Sequence, residues 1–115
     1  MPPRVAVLLE DIRDASPFIS DDVTGQTFES YRQDRRVRQL VERNFMIVGE
    51  AMVQLSRLDP VTANRITDRA QIIAFRNALI HAYSRINHVE VWRIIHESLP
   101  TLMSEVEELL REQTE

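Results

Sequence analysis

The chain has 115 residues, 43% of them hydrophobic and 28% charged, with a net charge of −4. That length suits one domain with a real hydrophobic core, and the acidic balance argues against a protein that coats nucleic acid by bulk electrostatics. Cysteine is absent, which excludes disulfides and thiolate metal sites, and no apolar run approaches the roughly 18–20 residues of a membrane span.

Only two glycines are present, too few for the turns a sheet needs, so helix is the default. The stretch MPPRVAVLLEDIRD has no signal-peptide cleavage pattern, and a reducing cytoplasm is the expected compartment. All 14 basic residues are arginine. The lack of lysine rules out Schiff-base and Walker-type phosphate lysines. Arginine, a forked donor suited to phosphate, is the cationic tool that remains. GC-rich coding would produce the same bias.

Pro2 and Pro3 precede a first helix with Val5, Leu8, Leu9 and Ile12 in the i, i+3, i+4, i+7 pattern. Pro17 is expected to end or kink it near Ser16, and SDDVTG to form a loop. A second, longer helix is expected from about Thr27 to Ser56. Val37, Leu40, Val41, Asn44, Val48, Ala51, Met52 and Leu55 fall on one broad face of it. Arg32, Arg36, Gln39 and Arg43 fall nearly opposite, as either a solvated helix face or a stripe that contacts phosphates.

The polar stretch RLDPVTANRITDR leads to a third helix from about Asp68 to Ser84. Asn87 and Glu90 make an N-cap and capping-box pair for a fourth helix carrying Val91, Ile94 and Ile95. Pro100 fits the first turn of a fifth helix better than the interior of a continuing one. That last helix has Leu102, Val106, Leu109 and Leu110 on its buried side. The expected fold is a single all-α domain over residues 1–115, an up-down bundle of four or five helices.

The third helix carries the chemistry. On a wheel of about 100° per residue, Ile72, Phe75, Ala78, Leu79 and Ala82 share the side expected to face the core. Arg76, Asn77, His81, Tyr83 and Ser84 occupy the other side, interleaved with Ile73 and Ile80. A face that mixes two isoleucines with these polar groups suits a second protein surface better than water, and a symmetric dimer supplies one.

His81 can take or give a proton near neutral pH, and Arg76 can stabilise charge building on a phosphate oxygen. Asn77 can orient the imidazole or the substrate. His81, His88 and His96 lack ligand-like spacing, so a metal hydrolase is poorly supported. RNA cleavage fits a metal-free reaction, because RNA carries its own nucleophile in the 2′-OH. The same residues also fit a structural role, in which Arg76 and His81 would be engaged in buried hydrogen bonds within the chain.

FRNALIHAY resembles the R-x4-H signature, followed by x-Y, of the HEPN superfamily. More closely, the whole chain resembles HepT-like toxins of the HEPN/minimal-nucleotidyltransferase toxin–antitoxin systems. IVGEAMVQLS (47–56) is similar to that family's long-helix segment around Gly49, Glu50 and Ala51. INHVEVWRIIHESLPTLMSEVEELL (86–110) is similar to its C-terminal portion, with the Leu99-Pro100 step. The similarity runs over essentially the full length. It departs at Pro17, and in ANRITDRAQIIAF, which lacks a tryptophan often found there.

The resemblance implies an all-α HEPN fold, a homodimer and a metal-independent endoribonuclease site without a cofactor. Arg76 and His81 would be the catalytic pair, with Asn77 assisting and the two protomers' motifs meeting at the dimer interface. Tyr83 would be the residue to which a cognate nucleotidyltransferase antitoxin attaches AMP, adding bulk and negative charge where RNA phosphate should bind. Arg32, Arg36 and Arg43 are candidate contacts to the RNA backbone. The other function class is a non-catalytic helical binding module that docks a nucleotidyltransferase and keeps the motif for dimer geometry. Arg76 and His81 lie about 140° apart on one helix, awkward for a pair acting alone, whereas two helices crossing at a two-fold axis could pool both pairs.

Overall fold

A computed structural model of the chain describes residues 2–81 and 85–114, and every regular element among them is helical. The elements are α1 (Pro3–Asp22), α2 (Phe28–Gln33), α3 (Arg35–Leu58), α4 (Pro60–Ala63), α5 (Arg69–His81), α6 (His88–Arg93) and α7 (Leu99–Thr114), with a π turn, Ile94–Ser98, joining the last two. Four long rods result, because α6, the π turn and α7 follow one another without a break. α3 packs along both α1 and α5, and α1 also packs along α7.

The rods alternate in direction. Arg4 at the start of α1 donates to Gln54 near the end of α3, 3.2 Å away. Arg69 at the start of α5 reaches Ser56, while Phe75 stacks edge-on against Phe45 with ring centroids 5.1 Å apart. Ser98 donates to Gln71 at 2.6 Å, and the Thr67 hydroxyl to Glu105 at 2.6 Å, which ties the start of α5 to α7. The core between the rods holds Leu9, Ile12, Phe45, Met52, Ile72 and Leu102, each less than 2% exposed. An up-down bundle is what the apolar spacing called for.

Three local expectations are corrected. Pro17 does not end the first helix, which runs on to Asp22 and takes Ser20–Asp22 out of the expected loop. An internal proline costs about 3 kcal/mol. Burying Ile19 and Val23, at 0% and 7% exposure, returns roughly 1.5–3 kcal/mol each, so continuation wins.

The expected helix from Thr27 to Ser56 is two helices. Asp34 adopts an extended conformation (φ −99°, ψ 92°) and its side chain caps α3 by accepting from Val37 N at 3.1 Å. α2 has its own cap, with Thr27 and Ser30 bonding reciprocally. The break swings Tyr31 into the core, fully buried and 5.3 Å from Trp92 between ring centroids. Of the face expected for this helix, Val41, Val48, Ala51, Met52 and Leu55 are buried, whereas Leu40 is 51% exposed.

Pro100 does sit in the first turn of α7, but that helix is not a separate one. Leu99 N–H donates five residues back to Ile94 O, the wider turn of a π segment, so the chain passes Pro100 without stopping. At the start of α6 the Asn87 side chain accepts from Glu90 N at 3.2 Å, as the cap expectation required. The Glu90 carboxylate turns instead to Arg93.

Candidate active site

α5 places Ile72, Phe75 and Leu79 in the core, at 1%, 8% and 6% exposure. Ala78, expected beside them, is half-buried and lines a cavity of about 320 Å³ between α5 and the segment 85–94. On the opposite flank Arg76 leaves α5 and crosses onto α3. The crossing depends on Gly49. A Cβ at that position would overlap Arg76 Cβ and come within 2.7 Å of its Cγ. A glycine inside a helix costs roughly 1 kcal/mol, and here it admits a neighbouring side chain at backbone distance.

Beyond Gly49 the Arg76 guanidinium is held at both ends. Nη2 donates to Glu50 Oε2 at 2.6 Å, and Nη1 donates to Asn77 Oδ1 at 2.8 Å. Its Nε is buried without a partner among the described residues. The side chain as a whole is 23% exposed, so part of it still meets solvent. Glu50 Oε1 accepts from Gln54 Nε2 at 3.2 Å, and Gln54 Oε1 accepts from Arg4. The Gln54 amide first, and Arg76 after it, hold the Glu50 carboxyl below the usual carboxylate range.

His81 ends α5, exposed, and no hydrogen-bond partner for it exists among the described residues. Ile80 beside it is 40% exposed. Asn77 is exposed apart from its contact with Arg76. Arg76 and His81 are therefore not both tied down in buried bonds, as a purely structural role would have it. Tyr83 and Ser84, with Ala82, lie outside the described residues.

The arginine row is divided by the break at Asp34. Arg32 lies on α2, where its guanidinium pairs with Glu29. Arg36 and Arg43 stay on α3 and are exposed. They stand seven residues apart, and Glu50 follows seven residues after Arg43. Seven residues are nearly two turns, so the three share one line along α3 that ends at Arg76. Arg43 and Glu50 also border a groove of about 530 Å³ between α1 and α3, with Arg4, Val7, Asp11 and Ile47.

Glu50 and Gly49 were legible as positions of a resemblance but not as parts of a site. The available signal was the glycine itself, because a mid-helix glycine in a chain with only two marks a close approach. Among the described residues no three His, Asp or Glu side chains are grouped as a metal ion would need. No described helix is long and apolar enough to cross a membrane.

Comparison with known proteins finds a family match over most of the chain. Residues 8–109 match the family described as Ribonuclease HepT-like. "Probable ribonuclease HepT" of Thermococcus cleftensis is 30% identical over 105 residues, covering 88% of this chain and 91% of that one. "Putative RNase TTE0752" of Caldanaerobacter subterraneus subsp. tengcongensis is 28% identical, over 91% of this chain and 93% of its own. "Putative RNase MJ0127" of Methanocaldococcus jannaschii is 27% identical, over 91% and 83%. No solved structure matches. With its all-helical bundle and a family match spanning residues 8–109, the chain belongs to the Ribonuclease HepT-like family.

Proposed function

We propose that the protein is a metal-independent endoribonuclease, working as a homodimer and serving as the toxin of a HEPN/minimal-nucleotidyltransferase module. The observation that carries this is the contrast on α5: Arg76 is anchored by Glu50 and Asn77 and partly exposed, while His81, five residues on, is exposed and unengaged among the described residues. One supplies fixed positive charge and the other a mobile proton. Membership in a ribonuclease family gives that pair a substrate class.

In the proposed reaction His81 takes the proton from the 2′-OH, or gives one to the departing 5′-oxygen. The 2′-oxygen attacks the adjacent phosphorus and the P–O5′ bond breaks, leaving a 2′,3′-cyclic phosphate and a 5′-hydroxyl. Arg76 stabilises the charge on the pentacoordinate phosphate, and Asn77 supports it through Nη1. Because Arg76 leans onto α3 and His81 does not, a second protomer's α5 would complete each proton-transfer and charge-stabilising set. Arg36 and Arg43 are the better-supported backbone contacts, since they lie on the α3 line leading to Arg76. Arg32, committed to Glu29, is the weaker one. Tyr83 would accept AMP from ATP through the antitoxin, its hydroxyl oxygen bonding the α-phosphorus as pyrophosphate leaves, and the added charge would repel RNA phosphate.

The test is cleavage of purified total RNA in the presence of EDTA by the wild-type protein and by the His81→Ala and Arg76→Ala variants. Wild-type cleavage with loss in both variants supports the enzyme. Full activity of His81→Ala removes its role. No cleavage by the wild type, with no toxicity on expression, leaves the chain as a helical module that docks a nucleotidyltransferase.

A further inference from the structure

The contacts of Arg76 give a role to a residue outside the R-x4-H pair. We propose that Glu50 is a positioning residue: its carboxylate, steadied by Gln54 and Arg4, holds the Arg76 guanidinium in the orientation that receives a phosphate. The kinetic consequence rests on the ribonuclease function proposed above, whereas the structural consequence does not.

The geometry works in three steps along one side chain. Gly49 leaves room for the stem of Arg76 to lie against the α3 backbone, which fixes Cβ and Cγ. The next residue on α3, Glu50, then takes Nη2 at 2.6 Å, and Asn77 on α5 takes Nη1 at 2.8 Å. Holding the arginine beforehand spares the loss of its rotamer freedom when the substrate arrives.

The orphaned Nε gives independent support. A buried donor without a partner among the described residues is unfavourable. Left to itself the guanidinium would swing outward and wet that nitrogen. Its presence inside means that the bonds at the two outer nitrogens outweigh the loss. Glu50 makes the one in which donor and acceptor are both ionised, the stronger of the two. The carboxylate can bear this duty because it is itself anchored: Gln54 Nε2 holds Oε1 at 3.2 Å, and Arg4 holds Gln54 at 3.2 Å. The chain of contacts therefore runs from α1 through α3 to the arginine on α5. A second carboxylate oxygen, Oε2, is left to face Arg76 alone.

Two readouts test this. In 15N-labelled protein at low temperature, the Arg76 side-chain N–H signals, assigned by their loss in Arg76→Lys, should be resolved in the wild type and collapse to exchange-averaged signals in Glu50→Ala. Identical Arg76 signals in both proteins would overturn the proposal, whether or not the protein cleaves RNA. With a fluorophore–quencher RNA oligonucleotide of mixed sequence, Glu50→Gln should lower kcat about tenfold while apparent KM stays within about threefold. Combined with Arg76→Lys, Glu50→Gln should add little further loss, because it acts through that arginine. A wild-type kcat in Glu50→Gln, a lowered KM with kcat intact, or a full second loss in the double variant would each overturn it. Absence of cleavage by the wild type would remove the ribonuclease function and leave the N–H signals to decide on Glu50.

Discussion

Gly49 on α3 and Arg76 on α5 occupy one shared piece of space, the glycine supplying the room that the arginine stem fills. The contact involves Cβ and Cγ, next to the α5 backbone, and not the flexible end of the side chain. Gly49→Ala should therefore shift the helices apart or expel Arg76. Overpacking of this kind costs about 1–3 kcal/mol, against about 1 kcal/mol that alanine gains inside a helix. The net loss of up to about 2 kcal/mol corresponds to a melting temperature lower by up to about 10 °C, read by circular dichroism. RNA cleavage should fall further than stability alone explains, because the displaced arginine loses Glu50. A raised melting temperature with intact cleavage would mean that the close approach has no consequence.

The second relationship is at the junction of α2 and α6. His88 faces Tyr31 edge-on, with ring centroids 6.5 Å apart, and its Nδ1 is buried without a partner among the described residues. Burial first, then the charges of Arg38 and Arg32, push its pKa below the ordinary value of 6.5. The unfolded chain therefore binds the extra proton more readily, so stability present above pH 6.5 is lost as pH falls through the lowered folded value. Glu42, raised by burial, acts with the opposite sign, so the comparison needs a variant. Between pH 7.5 and 5.5, on the His window of about 6.5 and below, the wild type should lose more melting temperature than His88→Phe. Parallel curves would assign the pH dependence elsewhere.

The sequence made the rods and their cores readable because helix burial leaves a period of 3.6, and Val5, Leu8, Leu9, Ile12, Leu102 and Val106 all fall where that period puts them. It was misleading where a single residue's intrinsic preference opposed packing. Pro17 reads as a stop, yet burial of Ile19 and Val23 downstream overrides it, and nothing local announces that burial. Asp34 reads as one polar residue in a polar helix face. Its capping role appears only once Tyr31 is seen to need the interior. In the site, Arg76, Asn77 and His81 were visible as chemistry on a helix. Glu50 was not, because it is 26 residues away and joins them only when α3 and α5 pack antiparallel.

Tyr31 offers a test of the aromatic junction. Its hydroxyl is buried without a hydrogen-bond partner among the described residues, although the ring is fully enclosed. Removing an unsatisfied buried hydroxyl while keeping the ring should be neutral or stabilising by up to about 1 kcal/mol. Tyr31→Phe is thus expected to melt at or a few degrees above the wild type in differential scanning calorimetry. Tyr31→Ala, which removes the ring that meets Trp92, should cost about 3–5 kcal/mol. A clear loss of stability in Tyr31→Phe would mean that the hydroxyl has a hydrogen-bond partner.

The last expectation concerns Ile80, which is 40% exposed on α5, three residues after Asn77 and directly before His81. An isoleucine between two site residues is costly to leave in water, by roughly 1.5–3 kcal/mol for the whole side chain. If two copies pool their Arg76 and His81 side chains, this is a residue their contact would cover. Ile80→Glu should then halve the mass measured by light scattering and abolish RNA cleavage together, while leaving the helical signal unchanged. The two losses should share one concentration dependence, because a charge placed in the contact weakens association and leaves α5 intact. An Ile80→Glu protein that is monomeric yet fully active would place both catalytic groups within one chain. The roughly 140° between Arg76 and His81 would then have to be bridged by the substrate, not by a second protomer.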